Sequence, residues 1–80
     1  MHSKPVRYLV LIEAAGAMVA RLFTADRRQI ADIDASSEEV AVMTAGVVPR
    51  KGVDERSWGA ALGGHSAQEK AAALVYELEL

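Results

Sequence analysis

Residues 6–24, VRYLVLIEAAGAMVARLFT, alternate along their length, and both alternating sets are apolar at their centre. Val6, Tyr8, Val10 and Ile12 fall on one face at a period of two, and Arg7, Leu9, Leu11 and Glu13 on the other. β-Branched and aromatic side chains at this spacing fit a pleated strand. Ala15-Gly16 follows, where glycine accepts the positive φ of a tight hairpin, so AMVARLFT returns as a second strand. A strand that is apolar on both faces needs cover on both. The expectation is that helices cover one face and that a second copy of the chain covers the other.

After the polar turn ADRR, QIADIDA reads as a third, weaker strand, completing a β-meander. SSEEVAVMTAG then changes period. Ser36 with Glu39 three residues later has capping-box spacing, and Gly46 fits a stop, which predicts a helix over 37–45. A strand competes there, because Val40, Val42 and Thr44 alternate with Ala41 and Met43. VVPRKGVDERS reads as a loop, and a short helix opening at Asp54 brings Trp58, Ala61 and Leu62 to one face. Gly63-Gly64 stands where a helix ends. Ser66 and Glu69 form a second capping box, which starts a helix at Ala67. The tail from Leu74 to Leu80 alternates again and reads as a final strand, against a competing helical stripe of Ala67, Ala71, Leu74 and Leu78. The fold class is therefore α+β: a small antiparallel sheet of three to four strands, with two to three short helices packed on one face.

Eighty residues make a single small domain, 1–80, which buries only roughly 60–65% of its unfolded surface. Hydrophobic residues make up 51% of the chain, but many are alanines that bury little area, so pairing with a second copy would add to a small core. There is no cysteine, which excludes disulfides, cysteine-based zinc sites and a cysteine nucleophile. A small domain without such staples fits a reducing cytoplasm. Lys4 and Arg7 before an apolar stretch imitate a signal peptide, but Glu13 and Arg21 interrupt it. No run approaches the ~18 apolar residues of a membrane span.

Net charge is −2, with a balance of +3 over residues 1–30 and −5 over residues 31–80. The pI of about 5.6 argues against nucleic acid as a partner. Asp32 and Asp34, with Glu38 and Glu39 nearby, fail as a calcium loop. Counted from Asp32, Ser37 stands where glycine is needed and Met43 where a bidentate glutamate is needed. The expectation is a solvated acidic edge and no metal. His2 lies near the chain start and is assigned no role.

Two function classes remain. The leading one is a non-catalytic protein–protein interaction or self-associating module, a homodimer in its simplest form, with no cofactor. The alternative is a small anion- or nucleotide-binding domain. It would use Gly64, His65 and Ser66 at a helix start, where backbone N–H groups point outward, with Arg50, Lys51 or Arg56 reaching in. No P-loop, dinucleotide fingerprint or serine elbow is present, and a single histidine without a visible partner is thin ground for an enzyme.

Overall fold

The computed structural model describes residues 5–78. His2, Lys4, Glu79 and Leu80 lie outside the described residues. The opening alternation folds as predicted: β1 (Tyr8–Ala14) and β2 (Ala17–Phe23) form a hairpin, with Leu9 opposite Leu22 and Val10 opposite Arg21. Ala15 and Gly16 both have positive φ, 52° and 82°, the primed turn whose twist matches that of paired strands. β3 (Gln29–Asp34) continues the meander against β2.

α1 (Glu38–Thr44) settles the helix-or-strand question at 37–45 in favour of helix. Its cap is Ser37, whose Oγ accepts from the Val40 amide at 3.4 Å, and not Ser36. The reason is local competition. Asp34 takes both the Ser36 amide (2.9 Å) and the Ser36 hydroxyl (2.7 Å), leaving Ser37 as the extended residue before the helix. These two bonds also hold the Asp34 carboxyl below its ordinary pKa. Gly46, with φ of 76°, turns the chain away after α1.

The stretch expected to be pure loop contains β4 (Arg50–Lys51), and α2 (Glu55–Trp58) opens at Asp54 as the sequence predicts. Asp54 caps it by accepting from the Arg56 amide at 3.0 Å. Gly63 and Gly64 do not form the expected left-handed cap, since the positive-φ glycines are Gly16, Gly46 and Gly52. Instead the chain runs on in successive turns, with Leu62 donating to the Trp58 carbonyl and His65 to that of Leu62. α3 (Ala67–Ala72) then begins at the predicted capping box, and β5 (Leu74–Glu77) returns antiparallel to β1.

The result is an α+β fold with a five-stranded antiparallel sheet in the order β3-β2-β1-β5-β4, one strand more than the upper expectation because β4 pairs with β5. The expected placement of the helices on one face is corrected. Val10, Ile12, Phe23 and Val75 pack under Trp58, Leu62 and Ala73 of the α2–α3 segment. Leu9, Ala20, Leu22 and Leu78 pack under Val40 of α1, with Met43 beside it. The two apolar sets of β1 are thus covered within one chain. The α1 segment follows an edge strand and crosses to the opposite face from the α2–α3 segment. Among the described residues, no helix is long and apolar enough to cross a membrane.

Candidate functional site

The corner at Gly63–Ser66 is closed by its own side chains. Ser66 accepts from the Glu69 amide at 3.1 Å, and Glu69 Oε1 accepts from the Ser66 amide at 2.9 Å. The amides of His65, Ser66 and Glu69 are therefore already spent. That same bond is the main cause holding the Glu69 carboxyl below its ordinary pKa, with His65 adding a smaller pull in the same direction.

His65 is likewise taken. Its side chain is 6% exposed, with Nε2 2.6 Å from an Arg21 nitrogen and Nδ1 3.4 Å from Glu69. A guanidinium only donates, so Nε2 is the acceptor and the ring proton is assigned to Nδ1, facing the carboxylate. Arg21 Nε in turn lies 3.3 Å from Asp32 Oδ1, an ion pair that is not aligned as a hydrogen bond. The line Asp32–Arg21–His65–Glu69 ties the α2–α3 corner to the β2–β3 pair. The lone histidine of this corner is thus a fastening between elements.

Capping makes this testable. Ser66→Ala is expected to destabilise the protein by ~1 kcal/mol at neutral pH, the usual cost of a lost N-cap. Ser36→Ala should cost less than Ser66→Ala, because Ser36 caps no helix. Glu69 adds a pH dependence. Its folded-state pKa is depressed, so its contribution is present above the unfolded carboxylate value and is lost as pH falls through and below that value. Urea melts at pH 7 and pH 3 check both points: Glu69→Gln should lose less stability on acidification than the parent. Equal losses would remove Glu69 from the account.

The remaining predicted residues lie elsewhere. Gly64 is exposed, with nothing within 4 Å of where a Cβ would stand. Lys51 is exposed on β4, opposite Leu74, and Arg56 is exposed on α2. Arg50 lines an open cleft of about 910 Å³ whose walls include Tyr8, Arg27, Val48, Trp58 and Glu77, and neither Gly64, His65 nor Ser66 borders it. The structure does not bring the basic loop and the His65 corner into one pocket. Asp32 and Asp34 are also separately engaged, by Arg21 and Ser36, and among the described residues no three His, Asp or Glu side chains are grouped as a metal ion would require.

Arg27, an ordinary basic turn residue in the sequence, gains specific partners only in the fold. It sits at φ 62° in the turn that closes on Thr24, and its guanidinium carbon lies 5.0 Å from the Tyr8 ring centroid and 5.1 Å from that of Trp58. The ADRR turn reads as an ordinary basic turn, and only the tertiary fold puts two aromatic rings beside it. Searches of protein families, of curated proteins and of solved structures find no match to this chain.

Proposed function

We propose that this chain is a non-catalytic interaction module that self-associates through the open edge of its sheet, strand β3. One observation carries the reading. β3 ends the strand order, and four successive residues, Gln29–Asp32, are exposed, so the outer row of backbone donors and acceptors faces no strand among the described residues. Such an edge is a template for another strand. The opposite edge, β4, is only two residues long.

A second copy fits this edge better than an unrelated strand. An antiparallel pair related by a two-fold axis through Ala31 sets Ile30 opposite Asp32 and keeps the two copies of Asp32 apart. Ile30 is 41% exposed, and pairing would shelter it. The Asp32 charge is offset within each copy by Arg21. The non-catalytic part of the reading is supported by His65, whose two ring nitrogens face Arg21 and Glu69 in a side chain only 6% exposed, closed to a substrate.

The absence of cysteine permits a direct test. Ala31→Cys under mild oxidation is expected to give a covalent dimer, while Ala60→Cys, exposed in the turn after α2, gives little. Light scattering of the parent should show a dimer at micromolar concentration. A monomer at every concentration, or equal cross-linking at both cysteines, would remove self-association through β3.

A further inference from the structure

We infer that the cleft between the β4 edge and the Thr24–Arg28 turn binds a small organic anion, an oxyanion group carried on an apolar body, held by Arg27 and Arg50. The site is separate from the β3 edge and does not depend on it.

The charges of the cleft point to an anion. Two arginines and two carboxylates line it, but the carboxylates are occupied. Glu77 pairs with Arg7 at 2.9 Å, and Asp54 accepts from the Arg56 amide at 3.0 Å and from Ser57 Oγ at 3.3 Å as the cap of α2. The arginines are not. Among the described residues the Arg50 side chain has no hydrogen bond or ion pair. Among those residues Arg27 donates one long bond, 3.4 Å, to the Tyr8 hydroxyl. Its Nε is buried without an acceptor. Its neighbours Asp26 and Arg28 pair with each other at 3.4 Å. Two guanidiniums with donors to spare, against one carboxylate paired with Arg7 and one turned to the α2 cap, leave the cleft with a positive balance that an anion would answer.

Arg27 is also held in place at a cost. A non-glycine residue at φ 62° is uncommon, and glycine or asparagine would sit there with less strain. The turn is clamped by the Thr24 amide donating to the Arg28 carbonyl at 3.0 Å, by the Arg27 amide donating to the Thr24 carbonyl at 2.9 Å, and by the Arg28 amide donating to Thr24 Oγ1 at 3.1 Å. The Tyr8 and Trp58 rings then fix the guanidinium in cation–π contact, so it meets a ligand without first losing rotamer freedom.

Size and polarity narrow the ligand. The cleft's volume of about 910 Å³ is near the top of the roughly 300–1,000 Å³ range of small-molecule sites. Its rim carries Val42 and Val48, 71% and 88% exposed, which an apolar ligand body would shelter. A bare ion would leave that rim wet, and an uncharged ligand would leave the arginines unanswered.

Trp58, the only tryptophan, lines the cleft, so its emission reports occupancy. Phenyl phosphate and benzoate are the probes, with phenol and inorganic phosphate as the partial ones. Phenyl phosphate or benzoate is expected to shift Trp58 emission saturably below about 10 mM, a weak-site affinity, while phenol and inorganic phosphate bind at least ten-fold more weakly. Which of the two binds tighter tells whether the head group is phosphate or carboxylate. Arg50→Gln, an exposed change that leaves packing alone, should weaken binding about ten-fold or more, as should Arg27→Lys, while Arg28→Gln leaves it unchanged. Far-UV circular dichroism confirms that each variant is folded. No saturable shift with either probe, equal binding by the Arg50 variant, or an equal loss in Arg28→Gln would overturn the site. Inorganic phosphate binding as tightly as phenyl phosphate would overturn the apolar part of the ligand.

Discussion

Trp58→Ala is expected to remove a large fraction of the protein's stability. Trp58 is 4% exposed and stands edge-on to two other rings, Tyr8 at 5.1 Å and Phe23 at 5.0 Å between centroids. Edge-to-face pairs add to the area term, and Arg27 over the indole adds a cation–π contact. Truncating a buried tryptophan to alanine costs ~3–5 kcal/mol. At ~0.05–0.15 kcal/mol per residue, a chain of 80 residues has only about 4–12 kcal/mol in total. Trp58 also comes from α2, whose four residues have little helical stability of their own. Losing the indole should therefore release the α2–α3 segment from the sheet. Urea unfolding followed by far-UV circular dichroism is the measurement, since the variant has no tryptophan to report. Trp58→Phe keeps one ring edge and should lose less. A Trp58→Ala variant within 1 kcal/mol of the parent would mean that this face of the sheet is not a packed core.

Leu9→Ala tests the other face and should cost ~2–5 kcal/mol. Leu9 is fully buried on the central strand, opposite Leu22, in the cluster that α1 closes with Val40. Were that face covered only by a second copy, the loss would depend on protein concentration and would be small in the monomer. Because one chain covers both faces, the penalty should be the same at 1 µM and 100 µM, concentrations spanning an ordinary ~micromolar dimer. A penalty that appears only at the higher concentration would place the cover of Leu9 in the dimer and not in α1. Self-association through β3 survives either outcome, since an edge pairs by backbone groups and needs neither face.

How much of the fold could be read in advance divides by range. The β1–β2 hairpin, the third strand, the Ser66–Glu69 capping box and the return of β5 were all legible, because each is written within a few neighbouring residues. The helix at 38–44 was legible, but its cap was displaced by one residue. Spacing points to Ser36, but its amide and hydroxyl both donate to Asp34, also local, and Ser37 takes the cap. β4 was invisible, since two residues carry no period and exist as a strand only because β5 lies alongside.

The candidate sites divide in the same way. Sequence singled out His65 because it stood unexplained beside a glycine pair, and the explanation, Arg21, is 44 residues away in the chain. It read Arg27 as an ordinary basic turn residue, because its partners Tyr8 and Trp58 lie in β1 and α2. By itself the sequence determined the strand periods, the positive-φ hairpin turn and the helix starts at Asp54 and Ser66, because backbone sterics and capping act over one to four residues. Only the tertiary structure decided which helix covers which face and which charges are already paired. Burial and ion pairing depend on distance in space, and the 80-residue sequence prints only distance along the chain.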